Sequence, residues 1–325
     1  MQIVITHPDP YVLILMQLFY LLIFPGVFFL GLFGLVAEFI DRKIYARLQN
    51  RVGPPWFQPL ADFFKLLGKE EIIPEDADRG MFKLMPLFAI TAVITASFYI
   101  PMWSQKALFS FEGDLIVVMY LLTIPTLTFF LAGWYSSSLY SMVGAVRCLT
   151  QLFAYEVPLF LAVLSPALLA GTWSLNGMAQ FYTVHPWYWL FNLIGFAVAL
   201  VALLGKLEKV PFDIPEAETE IVAGSFTEYT GRLLAFFRMA IDIELVVGAS
   251  LAAVVFLPFG LGLPPAYGFL LYLLKVVAVV AMLALLRTIF ARLRIDQMVN
   301  FCWKYVAPAA FIQLLIALIL KGVLV

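Results

Sequence analysis

Asp213, Glu216, Glu218, Glu220 and Glu228 are crowded into one short stretch between two long apolar runs. Glu216 and Glu220 stand four apart, so on a helix they share a face while Glu218 points away; crowding of like charge raises the pKa of at least one of them. Carboxylates tuned in this way exchange protons near neutral pH, which is what an ion relay requires. The same residues also suit a solvated acidic helix start, where the helix dipole favours Glu.

A second set of polar residues lies inside the apolar runs themselves. VRCLTQLFAYEVPLF carries Arg147, Gln151 and Glu156 among Leu, Phe, Val and Ala. Nine helical residues rise about 13 Å, so Arg147 stays near one surface while Glu156 reaches toward the middle of the run. An intramembrane carboxylate is costly unless neutral or paired, which makes Glu156 a candidate on an ion pathway. Arg238, Asp242, Glu244 and Lys275 add further charges in later runs. Arg238 and Asp242, at i,i+4, are placed to neutralise each other. Lys275 needs an acid, and Asp242 or Glu244 are the nearest candidates.

The elements that position these groups follow from composition. Of 325 residues, 63% are hydrophobic and 13% charged, too apolar for one water-soluble core. The sequence therefore reads as an all-α integral membrane protein, residues 1–325 forming a single membrane domain. About eight spans are long enough for a hydrocarbon core of roughly 30 Å: Tyr11–Ala37, Met81–Trp103, Leu115–Trp134, Met142–Ala170, Trp187–Leu204, Gly231–Leu257, Ala266–Leu286 and Tyr305–Leu324. The first run follows no Lys or Arg and exceeds a signal-peptide core, so it is expected to be retained. Lys and Arg concentrate in the odd-numbered connections, with only Lys106 and Lys321 on the other side, which places those connections in the cytoplasm and both termini outside. A multi-pass protein of the cell membrane is expected, surrounded by lipid and with no nucleic-acid partner.

Cys148 and Cys302 lie far apart, and His7 and His185 fall on the side opposite the charged loops. No CxxC or Cys/His cluster is present, so no metal site or iron–sulfur cluster is expected from this chain alone. Any electrons belong to a partner. No internal repeat is visible, which disfavours an inverted-repeat transporter.

The first cytoplasmic connection, residues 38–80, is charged and proline-bearing. Leu60, Phe63, Phe64 and Leu67 fall at helical spacing, with Asp62 and Lys65 facing elsewhere, which predicts an amphipathic helix at the membrane interface. Arg51-Val-Gly-Pro-Pro55 before it is a rigid turn. Arg42, Lys43, Arg47, Gln49, Arg51, Asp62 and Lys65 thus form a candidate docking platform for a soluble partner.

RLQNRVGPPWFQPLADFFKLLGKEEIIP resembles the first loop of the H-type membrane subunit of respiratory complex I. It is similar also to the equivalent subunit of the related membrane-bound [NiFe] hydrogenases and sulfur reductases. PFDIPEAETEIVAGSFTEYTG, VRCLTQLFAYEV and RLRIDQMVNFCWKYVAP resemble further segments of that family in the same order. The resemblance implies that Glu156, Glu216, Glu218 and Glu220 line an acidic funnel from the redox site into the membrane. It implies that residues 38–80 and the acidic loop 205–230 contact hydrophilic iron–sulfur and large redox subunits, with antiporter-like subunits alongside in the membrane. Iron–sulfur clusters, and in one branch a [NiFe] centre, would sit in those partners.

The first loop is short, and Arg238, Ala240 and Ile241 stand where complex I chains place an acidic–aromatic pair; both features resemble the hydrogenase branch. The expected function is that of a membrane subunit without redox centres, inactive alone, in a ferredoxin-linked oxidoreductase that translocates protons or sodium. The alternatives are the quinone-site subunit of a complex I-type enzyme and a structural anchor without an ion path.

Overall fold

The computed structural model describes residues 10–102, 106–260 and 262–324, and among these every regular element is helical. Eight helical segments among the described residues are long and apolar enough to cross a membrane. The first comprises α1 (Pro10–Leu22), a turn at 23–26 and α2 (Val27–Leu48). The others are α4 (Arg79–Ser97), α5 (Asp114–Tyr135), α6 (Leu139–Ala170), Pro186–Lys206 ending in α8 (Leu193–Lys206), α10 (Gly231–Phe256), α11 (Pro265–Ile289) and Ile295–Val323. The last joins α12 (Ile295–Phe301) to α13 (Ala307–Leu324) through a π-turn at Cys302–Val306.

The central element is α10, whose most apolar window is 83% buried, against 28% for the last segment. Lipid is as apolar as leucine, so helices in a membrane associate through close packing, and small residues permit it. Gly248, Ala249, Ser250, Ala252 and Ala253 supply that surface on α10, all buried. At the other extreme α1 is exposed nearly throughout.

The first, third, fifth and seventh connections meet at one end of the bundle. Ser137 donates to the Asp76 carbonyl, Ile72 N–H to Thr230 Oγ1, and Leu293 N–H to the Pro211 carbonyl. At the opposite end Leu115 N–H reaches the Trp173 carbonyl and Ala107 N–H reaches Asn176 Oδ1. There Asp114 accepts from Leu175 N–H at 2.6 Å.

Two differences from the sequence reading bear on the site. Residues 38–48 are not loop but the continuation of α2, because Ala46, Arg47, Leu48 and their neighbours are good helix formers; the chain turns only at Asn50, where φ is +59°. Between α6 and α8 lie a short helix α7 (Leu175–Val184) and a 3-10 turn at Pro186–Asn192, neither of which hydropathy anticipates.

The expected helix after the Pro-Pro turn is α3 (Gln58–Leu67). Its apolar residues divide between two faces: Pro59, Phe63 and Leu66 turn inward with Asp62, while Leu60 and Phe64 are exposed. Asp62 faces inward because Gln58 Nε2 and Arg42 both bind it.

Candidate functional site

A cavity of about 570 Å³ lies where α2, α3, α10, α11 and the connection after α8 converge. Its wall contains Glu38, Arg42, Asp62, Lys206, Glu208, Lys209, Asp213, Glu216, Arg238, Asp242, Glu244, Arg287 and Arg292, interleaved with nine apolar residues.

The charges are arranged in layers. Asp41, buried on α2, is bound by Lys209 at 2.7 Å and Arg287 at 2.9 Å. Lys209 also reaches Glu38 at 3.3 Å, which in turn takes Arg42 Nε at 2.6 Å. The two carboxylates beside Lys209 more than offset its burial and hold its pKa above the ordinary lysine value. Deeper, Lys206 and Glu244 form an ion pair at 3.0 Å with both side chains 1% exposed, and Lys206 also donates to the Leu122 carbonyl. Toward the rim, Arg238 meets Glu216 at 3.4 Å and Arg292 meets Asp213 at 3.1 Å.

The acidic segment 205–230 is held rigidly in place. Gln151 Nε2 donates to the carbonyls of Gly205 and Phe212 at 2.7 and 2.8 Å, fastening both ends of the turn that carries Lys206, Glu208 and Lys209. The later part, Gly224–Phe226, passes between α5 and α6 at van der Waals contact: a Cβ on Gly144 would lie 2.5 Å from Ser225 N. Tyr229 stacks on Phe82 at 3.9 Å and donates to its carbonyl.

The structure separates several residues that spacing puts together. The helix α9 spans only Glu218–Ile221, so Glu216 precedes it in a turn and the expected shared face with Glu220 does not form. Glu216 turns to Arg238, while Glu220 takes Arg147 at 2.6 Å. That hydrogen bond and charge hold Glu220 below the ordinary carboxylate value. Arg238 therefore answers Glu216 rather than Asp242, which faces the cavity. The side chain of Glu218 lies outside the described residues, as does His7. Glu228 is half-buried beyond the cavity wall.

Lys275 does not pair with Asp242 or Glu244. It stands on α11 far from the cavity, donates to the Phe259 carbonyl and lies 4.5 Å over the Phe259 ring, because its flexible stem carries the ammonium to the loop joining α10 and α11. Glu244 is already committed to Lys206. Glu156 lines a separate narrow crevice beside Tyr155, Lys206 and Gly248.

Of the candidate docking residues, Arg42 and Asp62 pair at 3.5 Å and belong to the cavity wall. Lys43 is tied to the Pro54 carbonyl, and Gln49 is half-buried. Arg47, Arg51 and Lys65 lie toward the surface. Among the described residues, no cluster of three or more His, Cys, Asp or Glu side chains could hold a metal ion.

The sequence profile of the NADH dehydrogenase family matches residues 20–318. The chain belongs to this family of H-type membrane subunits. It is 32% identical over 299 residues to the H-type subunit of NADH-quinone oxidoreductase from Carboxydothermus hydrogenoformans, covering 89% of this chain and 85% of that one. With the corresponding subunit from Thermomicrobium roseum the identity is 35% over 309 residues, covering 87% and 90%. A chain in the structure of the membrane-bound sulfane sulfur reductase, an archaeal respiratory membrane complex, superposes with TM-score 0.82 at 28% identity, covering 94% of this chain and 99% of that chain. These relatives are subunits of oxidoreductase complexes.

Sequence reasoning misses seven charged residues of the cavity and its margin in this NADH dehydrogenase-family chain: Glu38, Asp41, Lys206, Glu208, Lys209, Arg287 and Arg292. Glu38 and Asp41 fall in a segment read as docking loop. Lys206, Lys209, Arg287 and Arg292 enter the sequence reading only as topological charge, and Glu208 not at all. Burial, followed by the nearby Glu216 carboxylate, pushes the Glu208 pKa up to about 8. A helical reading of residues 38–48 would have put Glu38, Asp41 and Arg42 at i, i+3 and i+4, one face of α2.

Proposed function

We propose that the chain is the membrane subunit of a ferredoxin-linked, multisubunit oxidoreductase that couples electron transfer to proton or sodium movement. The observation that carries this reading is the cavity wall: thirteen of its 22 residues are charged, with acids and bases alternating from the rim inward to Lys206 and Glu244. Such a wall favours water and mobile protons over the apolar ring and tail of a quinone. A change of charge at a partner's redox centre over the rim would alter the proton occupancy of the rim acids. Each change then alters its neighbour's, because coupled groups titrate as a set. Glu216, Asp213 and Asp242 receive the signal, Glu244 with Lys206 passes it on, and Glu156 in the adjoining crevice delivers it toward a neighbouring membrane subunit.

In this reading the charged connections face the cytoplasm, and Arg47, Arg51 and Lys65 contact hydrophilic iron–sulfur and large redox subunits. The chain holds no redox centre of its own, and electron transfer belongs to those partners. The fit to a sulfur-reductase chain over 99% of its length supports the hydrogenase- or sulfur-reductase-type branch of this reading. A second reading, the quinone-site subunit of a complex I-type enzyme, is supported by 32% and 35% identity to NADH-quinone oxidoreductase subunits.

The test is purification of the native complex, reconstitution into sealed vesicles and measurement of ions moved per electron from reduced ferredoxin. Glu156→Gln and Glu244→Gln are expected to abolish ion movement while electron transfer persists. Unchanged transport in both variants refutes the relay. Co-purifying NADH-oxidising flavin subunits and no response to ferredoxin would move the chain to the second reading.

A further inference from the structure

Glu208 occupies an unusual backbone position. It follows the end of α8 with φ at +51°, a left-handed conformation that side-chain-bearing residues rarely adopt and that glycine ordinarily fills after a helix. Its carboxyl lines the cavity, with Glu216 from the following turn and Glu244 and Arg238 from α10 as the charged groups that act on it. Lys206 and Lys209, on either side of it in sequence, are engaged by Glu244 and by Asp41 with Glu38. From α6, the buried thiol of Cys148 approaches Glu208 Oε1 at 3.1 Å and the Thr126 carbonyl of α5 at 3.5 Å.

A thiol carries one proton and here faces two acceptors. While Glu208 is ionised, the S–H is best directed at Oε1. Once Glu208 takes up a proton, the S–H can rotate to the Thr126 carbonyl and leave the sulfur free to accept the new O–H. The side chain of Thr126 is itself 3.0 Å from the hydroxyl of Tyr155, the residue before Glu156, so the thiol sits between the cavity and the Glu156 crevice.

We propose that Glu208 is the proton-loading group of the cavity, and that Cys148 is its positioning residue, a rotating donor that accommodates both charge states. This rests on the relay reading above and names the group through which that relay loads. In the loading step a cavity water or hydronium transfers one proton to the Glu208 carboxylate. In the release step the same proton leaves toward Glu216 or the next acceptor, so charge and protons balance with no other reactant. Its titration near pH 8 puts the change of state within the working range of a cell. The strained backbone fits the same reading, since a carboxylate held where glycine is preferred is retained for its chemistry.

The test uses the native complex in sealed vesicles, with ions moved per electron measured between about pH 6 and 9. Wild type should lose coupling along a limb near pH 8. Cys148→Ala, which removes the donor to the ionised carboxylate, should move that limb upward by about half to one pH unit, and Cys148→Ser should move it back. Glu208→Gln should abolish the limb and cut transport per electron at least about tenfold. Glu208→Gly should do the same in a complex at least as heat-stable as wild type, an outcome a merely structural Glu208 would not give. Wild-type transport and an unmoved limb in Glu208→Gln overturn the proposal. If Glu156→Gln abolishes transport in the same preparation, only the loading role has failed; if it too is silent, the relay reading falls with it. Should Glu208→Gln not assemble, the Cys148→Ala limb decides, and its failure to move refutes the assignment.

Discussion

Gln151 offers a measurement of how firmly the cavity floor must be held. Its side chain is 1% exposed, and its amide nitrogen satisfies two carbonyls, Gly205 and Phe212, on either side of the turn that bears Lys206, Glu208 and Lys209. Its own carbonyl oxygen has no hydrogen-bond partner among the described residues, so the hydrogen bonds lost on replacement are those its amide nitrogen donates. Gln151→Leu keeps the volume nearly constant and leaves the buried Phe212 carbonyl unsatisfied, while the Gly205 carbonyl keeps the Glu208 N–H at 3.3 Å. At about 1–3 kcal/mol for one orphaned group, the folded complex should lose about 1–3 kcal/mol. No charge changes, so any effect on coupling must come from the turn moving.

The assay is thermal unfolding of the purified complex in one detergent, alongside ions moved per electron in vesicles. A lower midpoint together with a reduced ion-to-electron ratio is expected, the loss of coupling appearing below the temperature at which the complex begins to unfold. Gln151→Asn, one methylene shorter, should behave like Gln151→Leu because it cannot span both carbonyls. An unchanged midpoint with unchanged coupling would refute the argument that this amide positions the charged turn. A lower midpoint with full coupling would show that the turn is held by other contacts once the protein is folded.

Arg147→Gln frees Glu220, whose pKa should climb back toward the ordinary carboxylate value. A depressed carboxylate contributes stability above its unfolded pKa that is lost as pH falls through the folded one, so the variant and wild type should differ at neutral pH and converge in acid, as thermal midpoints against pH would show. Lys209→Met leaves Asp41 with Arg287 alone and Glu38 with Arg42 alone, and should cost up to about 3–5 kcal/mol as a buried ion-pair truncation. Because the Lys209 pKa is raised, its contribution is complete below the unfolded lysine value and fades only as pH rises through the folded one; denaturation at about pH 6 and pH 9 should give the same loss. Gly144→Ala puts a methyl group 2.5 Å from Ser225 N, backbone against backbone, and should destabilise by about 1–3 kcal/mol while loosening the acidic segment, seen as faster proteolysis there. Lys275→Met should leave the ion-to-electron ratio intact, since its ammonium serves the 257–264 loop rather than the cavity; a tenfold loss of coupling would contradict that placement.

The span count and order were legible because they rest on length and hydropathy, two quantities the bilayer fixes directly. The eight spans, the Gln58–Leu67 helix and the alternation of charged and uncharged connections needed no tertiary information. The failures occurred where a helix outruns its apolar stretch. Glu38, Asp41 and Arg42 follow an uninterrupted hydrophobic run, and polarity alone says that the membrane has ended, not that the helix has. The α2 backbone continues from Ala37 to Leu48 and turns Glu38 and Arg42 inward. Likewise the short helix α7 is too brief and too mixed in composition for any periodicity to register, and the largely apolar 3-10 turn after it merges by hydropathy with the span that follows.

Pairing was the least legible feature, and the reason is physical rather than statistical. Spacing of four along the chain proposes Arg238 with Asp242 and Glu216 with Glu220, yet each arginine chose an acid from a different element: Arg238 takes Glu216, and Arg147 takes Glu220 across 73 residues of sequence. Local rules describe isolated helices in water, where an i,i+4 pair is worth a few tenths of a kcal/mol. That preference is small enough to yield to an acid from another element placed at 2.6 to 3.4 Å by packing, and Glu216 has no helical turn to share with Glu220, since α9 begins only at Glu218. Lys275 shows the same choice made the other way. With Glu244 committed to Lys206 on α8, the Lys275 ammonium turned to a backbone carbonyl and an aromatic face. The sequence therefore reveals which residues are charged and how deep they lie, while the identity of each partner is settled by which helices the small residues of α10 allow to approach. A chain of carboxylates read from sequence alone is accordingly a set of members, and its order emerges only once α2, α8 and α11 are set around that central helix.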